Sequence, residues 1–519
     1  MNLSSTMVYF KNYTVIEKQM RKQGYILSVD QGTTGTTGII MDEYGNILWK
    51  AYQEIRQLYP MPGWVEHNPL DLFNSCINII EELLDETEIS LGKVLALGIT
   101  NQRETTIVWD RTSGKPVHNA IVWQCRRTAG ICEDLKNRGL EDEVRSKTGL
   151  TIDGYFSATK IRWILDNIPN GQRRAENGEL AFGTVDSWII WNLTNGTVHS
   201  TDVTNASRTM IFNINTLDWD DDLLSELNIP KAILPKVCSS NEIHAYAGGN
   251  FFGGHSPPIS GVIGDQNASL FGQVCFSPGM TKNTYGTGSF ILMNTGKKRL
   301  MSVPGLLTTP AWCIDNDVTF ALEGSIFSTG SSVQWLKDEL SFFSDVEEIE
   351  ALAEMVDDNG GVYIVPAFTG LGSPHWDMEV RGAIFGITRG TNKGHISRAI
   401  LESTAYQTKD VLDRMINSTN INIPRLRVDG GGTNNDLLMR IQAEVLDLSI
   451  EVCSITETTA LGAGYLAGLG IGLWNTYDQI TELWESSSCF MPSQSSRLRD
   501  VFYTNWQKAV ASARGWRPL

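Results

Sequence analysis

The stretch Tyr25-Ile-Leu-Ser-Val-Asp30-Gln31-Gly32-Thr33-Thr34-Gly35-Thr36-Thr37-Gly38 decides how the chain is read. Tyr25 to Asp30 is a short β-rich run that stops at a glycine- and threonine-rich turn, and Thr37 to Met41 is β-prone again. A second turn, Asp42-Glu-Tyr-Gly45-Asn46, leads into Ile47-Leu48-Trp49, so short strands joined by tight turns predict an antiparallel meander opening a domain. The first turn also offers chemistry. Glycines let backbone N–H groups converge on an anion, and threonine hydroxyls add donors beside them. Asp30, at the strand end, is placed to hold a magnesium ion through water. The competing reading is a hairpin whose threonines only satisfy turn geometry. Its spacing matches neither a Walker loop nor G-x-G-x-x-G, and no G-x-x-x-x-G-K-[ST] occurs in the chain.

Outward from this hairpin, Leu70 to Leu84 has helical spacing with Asn68-Pro69 as a start signal. Val94 to Thr100 is strand-like and ends at Asn101-Gln-Arg-Glu104. The second half repeats this grammar: Met280 to Tyr285 is strand-like, Gly286-Thr287-Gly288 is a turn, and Phe290 to Met293 is another strand. Helical patterns follow around Ser331 to Leu340 and Ile396 to Met415, then a strand, Leu426 to Asp429, runs into Gly430-Gly431-Gly432. The division expected is an N-terminal extension at 1–23, poorly ordered, then similarly built halves at 24–272 and 273–519.

Candidate site residues sit where these strands end. Thr284-Tyr-Gly286-Thr287-Gly288-Ser289 could cradle a second set of phosphate oxygens, and Asp429-Gly-Gly-Gly432 with Asn434 and Asn435 could let a base and ribose approach the backbone. Either could equally be an ordinary turn. Arg103-Glu104 would offer a donor and an acceptor to a polyol, against the commoner fate of a surface ion pair. Asp265-Gln266 follow the apolar run at Gly261–Gly264; an aspartate there is a candidate base or a helix cap.

Bulk properties narrow the class. With 519 residues, 41% hydrophobic and 19% charged, the chain is globular and long enough for more than one core. Its formal charge of −17 would repel a phosphate backbone, so nucleic acid is not an expected partner. The eight cysteines are scattered without a C-x-x-C pair, which predicts reduced thiols in a cytoplasmic protein. The most apolar stretch, Ala460 to Trp474, is shorter than the ~20 residues of a membrane span and reads as a buried helix and turn.

Taken together the motifs resemble the FGGY carbohydrate kinase family, in its glycerol-phosphorylating branch, from about Tyr25 to Trp516. The runs that carry the likeness include Pro62-Gly-Trp-Val-Glu-His67, Gly98-Ile-Thr-Asn-Gln-Arg-Glu-Thr-Thr106, Asn119-Ala-Ile-Val-Trp-Gln124 and Thr204-Asn-Ala-Ser-Arg208. Further on are Gly264-Asp265-Gln266, Asn283-Thr-Tyr-Gly-Thr-Gly288, Pro366-Ala-Phe-Thr-Gly-Leu-Gly372 and Arg427-Val-Asp-Gly-Gly431. The stretches from Tyr155 through Lys160 to Trp163, and from Gly382 to Glu402, look like the family's signature regions.

The resemblance implies an α/β protein of two duplicated actin-like/ribonuclease-H-like domains around a central cleft. It implies Mg2+-dependent phosphorylation of glycerol by ATP to sn-glycerol 3-phosphate, and a homo-oligomer, dimer or tetramer, without membrane insertion. By position, Arg103, Glu104, Trp123, Tyr155, Asp265, Gln266 and Phe290 match the family's glycerol pocket, with Asp265 as general base. Thr33, Thr34, Gly286, Thr287, Gly330, Gln334, Gly431 and Asn435 match nucleotide contacts, and Asp30 the metal-associated carboxylate. A carboxylate of ordinary pKa, ~3.9, is a poor base for an alcohol, yet it can orient the nucleophile and take the proton late. Relatives commonly carry Arg where this chain has Thr37, which removes one expected phosphate contact. Gly253-Gly254-His255-Ser256 lacks the arginine with which some bacterial relatives bind a sugar bisphosphate, and Phe251 stands where others carry a phosphorylated histidine. Another polyol or ketose kinase and a non-catalytic sensor are the alternatives; the presence of both Asp30 and Asp265 argues against the sensor.

Overall fold

The computed structural model describes residues 24–300, 303–493 and 496–516, so the expected N-terminal extension lies outside the described residues. The opening meander forms as β1 (Tyr25–Gln31), β2 (Gly35–Asp42) and β3 (Ile47–Glu54), paired antiparallel. Strands β4 (Val94–Asn101) and β5 (Pro258–Gly264) then add in parallel on the other side of β1, giving the order β5-β4-β1-β2-β3. Strand β2 starts earlier than its apolar run suggests, because backbone pairing continues through the polar pairs Asp30↔Thr37 and Gln31↔Thr36.

The second half is laid out alike. Strands β6 (Thr281–Tyr285), β7 (Ser289–Gly296) and, after the intervening β8 (Leu307–Ile314), β9 (Asp317–Ile326) form an antiparallel set. Parallel strands β10 (Leu426–Asp429) and β11 (Ile450–Cys453) extend it beyond β6. The series β11-β10-β6-β7-β9 therefore repeats β5-β4-β1-β2-β3 in order and direction, which is the duplicated actin-like/ribonuclease-H-like arrangement.

Helix α1 (Pro69–Thr87) covers one face of the first sheet. Asn68 caps it by accepting from Leu70 N, Pro69 takes the first turn, and Leu72, Cys76, Ile79, Ile80 and Leu83 form its buried stripe. The opposite face is covered by a helix from the far end of the chain. Helix α2 (Asp265–Gly272) leads out of β5, and α6 (Thr458–Gly470), numbered after α3 (Gly330–Asp338), α4 (Lys393–Thr419) and α5 (Asp436–Leu446), packs on β5, β4 and β1. One core cluster accordingly joins Ile26, Ala96 and Ile263 of the first sheet to Leu292 and Ala321 of the second through Ala463 and Leu466. The apolar 460–474 stretch is thus a buried helix followed by buried Leu473 and Trp474, as expected. Among the described residues no helix is long and apolar enough to cross a membrane. All eight cysteines are free, and only Cys489 is exposed.

Helices α2 and α6 cross backbone to backbone. A Cβ on Gly462 would lie 1.9 Å from Ala268 O, and one on Gly272 2.0 Å from Thr458 O. Gly462→Ala is expected to lower Tm by several degrees, since overpacking costs about 1–3 kcal/mol and more where backbone is the obstacle. Helix propensity alone would favour alanine by ~1 kcal/mol. A thermal melt showing an unchanged or raised Tm would therefore refute the tight crossing.

Candidate active site

Parallel neighbours β1, β4 and β5 end at one edge of their sheet. Asp30 pairs with Thr100, and Asn101 lies between Gln31 and Gly264, so Asp30, Arg103-Glu104 and Asp265 emerge side by side. In the second sheet Thr284 pairs with Asp429, so the turns at 286–288 and 430–434 also emerge together. The two edges face a cleft of about 1380 Å³. All predicted acceptor residues line it: Arg103, Glu104, Trp123, Tyr155, Asp265, Gln266 and Phe290, with Thr33 and Thr34 of the first hairpin. A neighbouring cavity of about 730 Å³ is lined by Gly286, Thr287, Gly330, Gln334, Gly431 and Asn435. Gly286 and Thr287 border both cavities, so the second hairpin is their junction.

Arg103 and Glu104 do not form a surface ion pair; both are buried. Arg103 donates through Nη1 to Glu323 Oε2 at 2.7 Å and to Asn267 Oδ1 at 3.1 Å, and through Nη2 to Glu323 Oε1 at 3.2 Å. Arg208 donates to Glu104 Oε1 at 2.5 Å and to Glu323 Oε1 at 3.0 Å. Burial holds the Glu104 carboxyl above its usual range, which Arg208 and Arg103 only partly offset. Glu323 goes the other way: against burial, the two guanidinium groups bring it down to about 2. The backbone of Glu104 is left-handed, φ +61°, inside a turn closed by Thr105 N donating to Arg103 O at 2.7 Å. A non-glycine residue held so costs of order 1–3 kcal/mol and persists only when its surroundings fix it. Here Ser157 Oγ and Lys160 Nζ both donate to Glu104 O, at 3.0 and 3.3 Å.

Asp265 opens helix α2, with Gly264 rather than Asp265 at the cap position. Its side chain is 27% exposed to the cleft, and its Oδ1 lies 3.1 Å from Arg103 Nε. That N–H is not aligned for a hydrogen bond, so the contact is electrostatic. Burial raises the Asp265 carboxyl above the usual range despite Arg103 and the Gln266 N–H. The ordinary pKa expected from sequence is therefore corrected upward, toward a better proton acceptor.

Aromatic rings wall the pocket beside these charges. Trp123 meets Tyr155 and Phe290 edge-on, with centroids 5.5 and 6.3 Å apart. The Trp123 indole N–H donates to Thr33 Oγ1 at 2.9 Å, tying the acceptor wall to the first hairpin. On the nucleotide side, Gly330 packs where a Cβ would lie 2.4 Å from Gly286 O, and Ser331 N donates to Thr287 O at 3.0 Å, so the start of α3 braces the second hairpin. Asn435 caps α5 by accepting from Leu438 N, while Gly431 faces open space.

Asp30 lies in neither lining, although Thr33 and Thr34 of the same hairpin line the first. Its Oδ1 is buried without a hydrogen-bond partner, and burial, then the charge of Asp265, push its carboxyl up to about 7. Adjacent carboxylates that resist joint ionisation, one with an orphaned oxygen, suit a cation that would neutralise both. Among the described residues no group of three or more His, Cys, Asp or Glu could cage a metal alone. Asp30 beside Asp265 would offer the one or two carboxylates that suit Mg2+, an ion that keeps several waters and takes its other ligands from substrate phosphates.

Sequence reading missed Glu323 and Lys282, and gave Arg208 no role beyond its motif. Lys282 Nζ donates to Gln266 Oε1 at 2.5 Å and Thr284 Oγ1 at 2.8 Å. Burial lowers its pKa to about 8, with Asp429 and Asp265 opposing. A signal was present: Glu323 and Lys282 are charges inside β-strands, and a fully buried charge is paired or functional. Of the departures, Thr37 lies across from Asp30, Phe251 packs edge-on to Phe73 at 5.6 Å, and His255 Nε2 lies 3.0 Å from Val94 O.

Two family models match: the N-terminal domain of the FGGY family of carbohydrate kinases over residues 25–272, and its C-terminal domain over 281–471. Glycerol kinase 2 of Thermotoga maritima is 55% identical over 492 residues, covering 95% of this chain and 99% of that protein. The glycerol kinase of Clostridium beijerinckii is 53% identical over 493 residues, with the same coverage. A crystal structure of Plasmodium falciparum glycerol kinase with ADP superposes with a TM-score of 0.89 at 36% identity, covering 95% of this chain and 98% of that one.

Proposed function

Because the chain belongs to the FGGY family of carbohydrate kinases, we propose that it transfers the γ-phosphoryl group of ATP to a terminal hydroxyl of glycerol, giving sn-glycerol 3-phosphate. The observation that carries this reading is the meeting of a polar-and-aromatic pocket with two glycine- and threonine-rich hairpins in one cleft, which Asp265 also lines. Relatives named as glycerol kinases at more than half identity point to the same acceptor.

Arg103 and Glu104 grip the hydroxyls of the triol, while Trp123 and Phe290 cover its C–H edge. Tyr155, whose phenol burial keeps protonated, and Gln266 complete the polar rim. Asp265 orients the attacking hydroxyl and accepts its proton late, since a loose transition state needs little prior deprotonation. The nucleotide lies along the second cavity, its base and ribose toward Gly431 and Asn435 and beside Gly330 and Gln334. Its phosphates cross Gly286 and Thr287 toward Thr33 and Thr34. Asp30 would hold Mg2+ through water, and the bound ion spreads the charge of the β- and γ-phosphates. The halves divide near residue 272, and the protein works in the cytoplasm as a homo-oligomer.

A panel of glycerol, dihydroxyacetone, glyceraldehyde and pentuloses in an ATP-coupled assay tests the acceptor. Glycerol is expected to exceed the pentuloses in kcat/KM by at least ~10²-fold, because the polar groups beside the Trp123, Tyr155 and Phe290 rings match the hydroxyls of a triol and leave the further hydroxyls of a pentulose unpaired. A pentulose turned over as well as glycerol would reject the assignment.

A further inference from the structure

Arg103, Glu104 and Arg208 all belong to the first half, yet the carboxylate that organises them comes from the second. Glu323 lies on β9, is wholly buried, and uses both oxygens: Oε2 accepts from Arg103 Nη1 at 2.7 Å, while Oε1 accepts from Arg103 Nη2 at 3.2 Å and Arg208 Nη2 at 3.0 Å. This bidentate grip fixes the plane of the Arg103 guanidinium. With Nη1 and Nη2 turned to Glu323 and Asn267, Nε is left toward Asp265. Through Arg208, whose Nε donates to Glu104 Oε1 at 2.5 Å, the same carboxylate sets which Glu104 oxygen is engaged.

We propose that Glu323 is a positioning residue for the acceptor pocket, supplied across the domain boundary, so that triol affinity depends on the second half even though the gripping side chains lie in the first. This rests on the reading of the cleft as a triol kinase and goes beyond it. Among the described residues, the acids left to pair with these two guanidinium groups without Glu323 are Glu104 and Asp265. Without Glu323, Arg103 would turn onto those two acids, and the acids would no longer be free to receive the substrate's hydroxyls. The nucleotide cavity touches neither arginine, so ATP affinity has no reason to follow.

Glu323→Gln removes the charge and keeps the shape, and Glu323→Asp keeps the charge and withdraws it. The expected result is a glycerol KM raised about 10- to 100-fold in Glu323→Gln, the scale of a lost charge-assisted hydrogen bond, with ATP KM within twofold of wild type. Glu323→Asp should fall between the two. A merely structural role would lower Tm and the active fraction while leaving both KM values alone, or would raise them together; either result overturns the proposal. Should Glu323→Gln not fold, Glu323→Asp decides alone: a glycerol KM raised at least threefold with ATP KM unchanged supports it, and no selective change overturns it. A wild-type protein inactive on glycerol would instead overturn the kinase reading, before any variant is compared.

Discussion

Asp265→Asn is expected to reduce turnover by roughly 10²–10⁴-fold, the usual worth of a positioned general base, while the glycerol Kd from calorimetry stays within a few-fold of wild type. The amide keeps an oxygen where Asp265 Oδ1 now faces Arg103 Nε at 3.1 Å, so binding geometry survives. What it loses is the capacity to take the hydroxyl proton as the bond to phosphorus forms. Since burial holds Asp265 above the ordinary carboxylate range, wild-type kcat should fall on acidification from a pH above that range, as the carboxylate is protonated. The variant has no carboxylate at this position, so this limb should flatten in its residual rate. Equal turnover by variant and wild type would remove Asp265 from the mechanism.

Much of this site was legible because its residues stand at the ends of strands that announce themselves. Asp30, Arg103-Glu104, Asp265 and Gly286-Thr287 each stand at or just past the end of a β-rich run, and parallel pairing then brings such ends to one edge. Register could not be read the same way. The first hairpin is narrower than its apolar residues imply, because Gly35 and Thr36 already pair with β3 and Thr36 with Gln31. Nor could the exchange by which α6 of the second half covers the first sheet, since an all-apolar helix states only that it is buried. Glu323 escaped for a related reason: Phe320-Ala-Leu-Glu323-Gly reads as an ordinary strand, and its partners lie more than a hundred residues away. Long-range charge pairing leaves only the hint that a carboxylate has no business in such a run.

Asp30→Asn should divide stability from activity. Below about pH 4 the Asp30 carboxyl is protonated whether the chain is folded or not, and the substitution changes little. As pH rises from there toward about 7 the unfolded chain gives up this proton, whereas burial and Asp265 make the folded protein keep it. Wild-type stability is therefore lost across that window, and above it the penalty is constant. Asparagine carries no such penalty, so at pH 8 with EDTA the variant's Tm should exceed that of wild type by a few degrees, the gain vanishing toward pH 4. Catalysis should move oppositely, with Mg2+-ATP turnover down by about 10²–10³, the scale of losing one preorganised electrostatic element. On the proposed metal role of Asp30, Mg2+ with a non-hydrolysable ATP analogue should also raise wild-type Tm more than the variant's, because the ion would offset the charge that Asp30 otherwise holds at a cost. Differential scanning calorimetry across pH, with and without Mg2+, reads both effects. A variant less stable than wild type at pH 8, and still fully active with Mg2+-ATP, would mean that Asp30 is neither strained by its burial nor reserved for the metal.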